Sequence, residues 1–408
     1  MSKKYNREYE VGYTPTLVME EATRCLLCLD APCSKACPAG TDPAKFIRSV
    51  RFRNIKGAAE TVRVNNVLGA ICARVCPTER YCQNGCSRSG IDKPIDIGRI
   101  QRYITDHEDA LGMNILEKVS KNGKNVAVIG SGPGGLSTAG YLALKGFDVT
   151  IFEKEEKAGG YLRYGIPEYR LPNTIVDKEI ERIEALGVKI VCQTRIGTDI
   201  TVEQLREDFD AVVVAIGSNM GKVLDMFKDN KNVVTAVDFL KEVKTKKGDV
   251  KLPNNVLVIG GGDVAMDVVT TLKLLGVKNV SDVVYEEFDE FKASKKELLG
   301  AQENNVSIID GYVPVSINDK TVQFKHRVID ANLTITANLI ILAIGQVVDA
   351  KGINLDFVRG EVDIKDVQVP GTNVFVAGDI SHGEKTVVYA VKSGKEVADA
   401  VASYLGGK

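Results

Sequence analysis

The chain has no tryptophan and only three histidines, His107, His326 and His382, in 408 residues. So few imidazoles argue against a histidine-based hydrolytic site. No apolar run approaches the roughly 18 residues that a membrane-spanning helix needs. The opening stretch MSKKYNREYE lacks the apolar segment of a secretory leader. Charge of one sign is missing too. Lysine and arginine number 53 against 54 aspartates and glutamates, a formal charge of −1, which gives no general reason to expect nucleic acid or an anionic membrane as a partner. These absences point to a cytoplasmic protein, long enough for two or three domains.

Cysteine is present, and unevenly. Eight of the nine lie between residues 25 and 86, as Cys25, Cys28, Cys33 and Cys37, then Cys72, Cys76, Cys82 and Cys86. Without a leader, a reducing interior makes metal a better explanation than disulfides. Zinc competes, because Cys25-x2-Cys28 is also a zinc-finger spacing. Against zinc, each group holds a Cys-Pro step (Cys37-Pro38, Cys76-Pro77). The first group, C-x2-C-x4-C-x3-C-P, approximates an iron–sulfur run whose last cysteine ligates the other cluster. Spacing alone distributes all eight over two clusters. Cys192, isolated in GVKIVCQ, reads as a core residue. The basic stretch from Lys45 to Arg53 reads as a solvated helix face.

Residues 1–121 read as an all-α region of helices and loops, with 111–124 a polar connector. From 125 onward, β-branched strands alternate with helices, the pattern of parallel α/β domains. NVAVIG, DVTIFE, DAVVVAIG, NVLVIG, DVVYEE, LIILAIG and NVFVAGD are the expected strands. A strand, glycine loop and helix occur at 125–146 and again at 256–276. The expected fold is therefore α/β with an N-terminal iron–sulfur domain and two Rossmann-like dinucleotide-binding domains.

The first loop, Gly130-Ser131-Gly132-Pro133-Gly134-Gly135, is a dinucleotide fingerprint. Its glycines serve a tight turn, close backbone approach to a pyrophosphate and close helix–strand packing. The pyrophosphate then meets a helix N-terminus. Glu153 ends the next strand, where a carboxylate accepts hydrogen bonds from a ribose. The second fingerprint, Gly260-Gly261-Gly262-Asp263-Val264-Ala265, has the same context. Its following strand ends near Glu286 and Glu287. Two carboxylates suit a free 2′-hydroxyl and repel a 2′-phosphate, so NAD is preferred to NADP. Either glutamate can serve, with Glu286 favoured; Lys292 nearby offers a phosphate partner and weakens the preference. After the last strand, Gly378-Asp379-Ile380 resembles the second FAD motif of two-dinucleotide flavoproteins, with its helix starting near Thr386. FAD thus belongs to the first fingerprint and NAD to the second. An NAD domain (218–345) is inserted between two FAD segments (122–217 and 346–408).

The runs RCLLCLDAPCSKACP, GAAETVRVNNVLGAICARVCPTERYCQNGC and IDIGRIQRY, with GIPEYRLP, GGGDVAMD and the GDI region, resemble the flavin half of dihydropyrimidine dehydrogenase along nearly the whole chain. The wider group includes glutamate synthase small subunits. The resemblance assigns Cys25, Cys28, Cys33 and Cys86 to one 4Fe–4S cluster. It gives Cys37, Cys76, Cys82 and Gln101 to a second, and makes Cys72 a spare thiol. It adds Lys154, Gly160, Tyr161 and the backbone near Ile196 to the FAD site. It sets Arg170 between the flavin and the nearer cluster, and Ala343-Ile344-Gly345 at NAD. No catalytic acid, base or nucleophile is implied. The implied activity passes electrons from NADH through FAD and the clusters to a partner polypeptide. That partner carries FMN and iron–sulfur clusters and reduces pyrimidines, in an expected heterotetramer.

Overall fold

A computed structural model describes residues 4–358 and 360–406. Two compact units are present, one of residues 4–9, 164–172 and 219–347, the other of 10–163, 173–218 and 348–406. Among the described residues no strand precedes Asn125, and no helix is long and apolar enough to cross a membrane.

In the larger unit, residues 10–110 form helices Pro15–Thr23, Pro32–Lys35, Pro43–Arg51, Ile55–Asn65, Gly69–Val75 and Ile97–Ala110. Several starts are written locally: Thr14, Asp42, Asn54 and Asp96 each cap a helix with a side-chain oxygen, satisfying amides that lack a helical partner. Phe46, Ile47, Val50, Val62, Ile100 and Ile104 form the core of this region. On the helix Pro43–Arg51 they leave Lys45 and Arg48 exposed, the solvated basic face expected. The same unit holds a five-stranded parallel sheet. Its order is Val374–Val376, Ala211–Val214, Asn125–Ile129, Asp148–Phe152, Lys189–Val191. Cys192 follows the last of these, an edge strand, and is half-buried rather than a core residue, because one side of an edge strand has no neighbour.

A buried ion network joins three helices of this unit. Arg63, fully inaccessible, lies 2.8 Å from Glu108 and 2.8 Å from Glu179 on the helix Asn173–Ala185. Glu179 also accepts the Ala70 N–H, at 3.1 Å, at the start of the helix that carries Cys72.

The smaller unit contains a second parallel sheet, ordered Val233–Thr235, Leu339–Leu342, Asn255–Ile259, Asn279–Val283, Ser307–Ile309. One face packs on Phe239, Leu240, Met266, Val269 and Leu272. The other packs on Val322 and Phe324 of an antiparallel three-stranded sheet spanning 312–336. The strand read as DVVYEE begins three residues earlier and ends at Val283. Past its end the Val284 N–H still donates to the Ile309 carbonyl. Asp282 on this strand is buried, which neither alternation nor propensity foretells. All strands of the second sheet lie in sequence between Ala211–Val214 and Val374–Val376, so one dinucleotide fold is inserted within the other.

Candidate functional site

The first cradle begins where the strand Asn125–Ile129 ends. Gly130 has φ +100°, and a Cβ there would come 2.6 Å from the Ala215 carbonyl oxygen. A Cβ on Gly135 would sit 1.9 Å from the Gly130 oxygen. These positions are closed to any side chain. Gly132 is the opposite case. It caps the helix Pro133–Leu144 without a side-chain cap bond and has open space around its Cβ position. Unengaged N–H groups at such a terminus fit a diphosphate. Beside it, Gly160 approaches so closely that a Cβ would lie 2.7 Å from the Gly132 Cα, and Tyr161 follows at the start of a short helix. Glu153 is buried at the cradle's edge. Its carboxylate accepts the Ser131 N–H at 2.9 Å and the Ser131 hydroxyl, and its other oxygen accepts the Glu155 N–H at 2.9 Å. Lys154 lies 3.7 Å from Asp349, and Ile196 is buried in the core behind the cradle.

The Gly378-Asp379-Ile380 turn reaches this same cradle, since a Cβ on Gly134 would lie 3.0 Å from the Gly378 Cα. Burial holds the Asp379 carboxyl above the usual carboxylate range. Thr386 caps the closing helix Val387–Tyr404, accepting the Tyr389 N–H at 3.4 Å. That helix lies against the fingerprint helix at Gly394, whose Cβ would be 2.6 Å from the Ser137 Cβ. A lone glycine inside an amphipathic helix gave no hint of this.

The second cradle repeats the design. A Cβ on Gly260 would meet the Ala343 oxygen at 2.3 Å, bringing the end of the strand Leu339–Leu342 to the fingerprint, with Ile344 and Gly345 following. Gly262 caps the helix Asp263–Leu274 with no side-chain cap bond and open surroundings. Asp263 accepts the Ser294 N–H at 2.5 Å, and Val264 packs against the domain core. The two glutamates behave differently. Glu286 faces the fingerprint, 3.1 Å from the Cβ position of Gly261, and pairs with Lys292 at 2.5 Å. Glu287 caps the short turn Phe288–Glu290. Arg327 stacks over Tyr285 at 4.1 Å and donates to the Tyr285 carbonyl at 3.1 Å. It arrives from the three-stranded sheet, 42 residues downstream, with no sequence signal.

Arg170 is ion-paired within its own unit. Its guanidinium makes two bonds to Asp267, at 2.8 and 2.7 Å, and lies 2.9 Å from Glu297. All three belong to the smaller unit. Two carboxylates within reach take up the charge of this arginine, in keeping with an ion-pair role.

Cys25, Cys28, Cys33 and Cys86 line one cavity, together with Pro32, Ile47, Ile95 and Ile97. Gly85 explains how Cys86 joins from the second group, because a Cβ there would be 2.9 Å from the Pro32 oxygen, so only glycine lets the two loops touch. Burial pushes the Cys33 thiol up to about 11. Among the described residues no three Cys, His, Asp or Glu side chains draw together closely enough for one ion. Four thiols lining one cavity are a donor set that fits a cluster of several irons. In the second group, burial raises the Cys76 and Cys82 thiols, and nearby thiols add to it: Cys72, Cys82 and Cys37 for Cys76, and Cys37 and Cys33 for Cys82. Gln101 is buried and donates its Nε2 to the Gly69 carbonyl at 2.8 Å, directing its amide toward the helix of Cys72. Cys72 itself is buried, and desolvation lifts its thiol to about 12.

The chain is similar to known proteins in both its cysteine-rich and its dinucleotide-binding parts. Residues 2–113 match the family model described as dihydropyrimidine dehydrogenase domain II, 4Fe-4S cluster. Residues 124–394 match the pyridine nucleotide-disulphide oxidoreductase family. The chain is 52% identical over 406 residues to the NAD-dependent dihydropyrimidine dehydrogenase subunit PreT of Escherichia coli O157:H7, covering 99% of this chain and 98% of that one. It is 50% identical, with the same coverage, to subunit PreT of Salmonella typhimurium (strain LT2). In fold it is similar to Mycobacterium tuberculosis FprA in complex with NADPH, with a TM-score of 0.61 at 16% identity over 69% of this chain and 85% of that one.

Proposed function

Since the chain belongs to the family of NAD-dependent dihydropyrimidine dehydrogenase flavin subunits, we propose that it is an NADH-oxidising, electron-delivering subunit of such an enzyme. The reading assigns FAD to the cradle of Gly130–Gly135 and NAD to that of Gly260–Ala265. It assigns one 4Fe–4S cluster to Cys25, Cys28, Cys33 and Cys86, and a second to Cys37, Cys76, Cys82 and Gln101. When bound, nicotinamide and flavin supply hydride transfer, and the clusters supply one-electron carriage.

The chain's own residues bind and align. The N–H groups after Gly132 and Gly262 receive diphosphates, and Glu153 and Glu286 hold riboses. Asp379, at the turn beside Gly134, would bind the flavin's ribityl chain. No side chain needs to act as acid, base or nucleophile. The pyrimidine is reduced on a partner polypeptide carrying FMN and iron–sulfur clusters, in a cytoplasmic heterotetramer. The observation that carries this reading is the coexistence, in one chain, of two side-chain-free diphosphate cradles and a four-thiol cavity.

The test is a pair of anaerobic reactions. NADH is expected to bleach the flavin of the isolated chain and to support reduction of artificial acceptors, while uracil and thymine stay untouched. Adding the FMN–iron–sulfur partner is expected to switch on NADH-dependent formation of 5,6-dihydropyrimidine. A reconstituted pair that ignores pyrimidines, or a lone chain that reduces uracil, would refute the assignment.

A further inference from the structure

Between Cys76 and Cys82 the chain carries a tyrosine whose hydroxyl ends on a distant segment of sequence. Tyr81 is 7% exposed. Its hydroxyl donates to Glu384 Oε2 at 2.5 Å and lies 3.4 Å from Thr386 Oγ1. Its ring sits 5.9 Å, centroid to centroid, from that of Tyr389. These three partners all belong to the stretch that follows the Gly378-Asp379-Ile380 turn and opens the closing helix.

The backbone around Tyr81 is tied just as firmly. Its N–H donates to the Thr78 carbonyl at 3.1 Å, and its carbonyl accepts the Gly85 N–H at 3.0 Å. A shift of the phenol is therefore passed to the adjacent Cys82 and to the turn that follows Cys76. The acceptor is the unusual partner. Glu384 is exposed and has water available, yet its carboxylate takes the hydroxyl of a buried ring. A charged acceptor makes this one of the stronger kinds of hydrogen bond. Packing alone would need only the ring on Tyr389.

We propose that Tyr81 is a positioning residue for electron transfer. Its hydroxyl latches the Cys76–Cys82 loop to the 384–386 segment and so sets the second cluster's placement relative to the flavin-binding turn. The inference rests on the FAD and cluster assignments proposed above. In the reaction it serves, NADH gives up a hydride and becomes NAD+. The two electrons pass on singly, each reducing one oxidised cluster by one electron, and the hydride's proton is released to solvent. Tyr81 is neither oxidised nor reduced; it holds two elements in register.

The test uses the full-length holoprotein under anaerobic conditions. Tyr81→Phe keeps the ring on Tyr389 and removes the hydroxyl. Glu384→Ala removes the acceptor from an exposed position, and Glu384→Gln keeps an acceptor oxygen. Iron content, the rate at which NADH bleaches the flavin, the subsequent rate of cluster reduction by stopped-flow absorbance and rapid-freeze EPR, and the second cluster's midpoint potential are measured for each. Iron content and flavin bleaching are expected to stay at unmodified levels. Cluster reduction is expected to slow several-fold in Tyr81→Phe and Glu384→Ala, because without the latch the Cys76–Cys82 loop samples placements less favourable for electron transfer, and to recover in Glu384→Gln. A general structural role would not show that rescue. Unmodified cluster-reduction rates in both Tyr81→Phe and Glu384→Ala overturn the proposal. If Tyr81→Phe fails to retain iron, Glu384→Ala decides, a slowed rate supporting the latch and an unmodified one removing it. Failure of NADH to bleach the unmodified flavin counts against the functional reading instead, and the latch is then judged by the same comparison on photoreduced protein.

Discussion

One methyl group separates a working cradle from a blocked one at Gly135, where a Cβ would lie 1.9 Å from a carbonyl oxygen. The second cradle tolerates Ala265 at the matching position, fully buried, so the motif's last residue is set by local helix–strand spacing. Gly135→Ala is expected to strip most FAD from the purified protein, read as flavin absorbance per chain. Ala265→Gly should cost only about 1 kcal/mol of helix stability and leave NADH binding nearly intact. The nicotinamide preference is also decided by single residues. Because Glu287 is occupied as a cap and Glu286 faces the fingerprint, replacing both with arginine should shift the preference from NADH toward NADPH. Most of that shift should come from position 286, where a guanidinium gives a 2′-phosphate a partner in place of a repulsion. Dissociation constants for the two nucleotides measure it, and equal affinities in the unmodified protein would remove the basis of the argument.

At the scale of elements, two buried acids make opposite statements. Glu179 ties its helix to Arg63 and to the first turn of the helix bearing Cys72. Glu179→Ala leaves Arg63 with one carboxylate fewer in a fully buried site. It should destabilise the larger unit by about 3–5 kcal/mol, visible as an earlier unfolding transition; a change under about 1 kcal/mol would show that the network is dispensable. Among the described residues Asp282 has no hydrogen-bond partner for either oxygen. On its strand it is paired with Val258 and Ile308, and burial holds its carboxyl well above the usual range. The folded chain therefore keeps a proton that the unfolded chain releases at about pH 4. The sign follows: stability falls as pH rises from there toward the raised folded value. Asp282→Asn should flatten that slope, measured as chemical unfolding across the range. An unchanged slope would mean that other groups carry the dependence.

For the whole molecule, stoichiometry is the sharpest expectation. About eight irons and one FAD per chain follow from two 4Fe–4S clusters and one flavin cradle. Cys86→Ala should lower the iron to about four and remove the cluster of the first group, although Cys86 lies 53 residues beyond Cys33 in sequence. Loss of a second-group signal instead, or zinc in place of iron in anaerobically prepared protein, would contradict the ligand division.

Local chemistry alone determined much of this protein. Glycine spacing between a β-branched strand and a helix, with an acid ending the next strand, acts within a few residues, and both cradles were readable for that reason; the nested order of the two dinucleotide folds came from the likeness of Gly378-Asp379-Ile380 to a second FAD motif. Helix starts at Thr14, Asp42 and Asn54 were encoded in the same local way. Tertiary structure decided what depends on distant chain segments. The arrival of Cys86 beside Cys33 needs the close approach at Gly85. The commitment of Arg170 to Asp267 and Glu297 needs a long-range pairing across 97 and 127 residues. The same holds for Arg327 over Tyr285 and for Tyr81 reaching Glu384. Such contacts leave no periodicity in a sequence, since their energy comes from which surfaces meet once local elements have already formed.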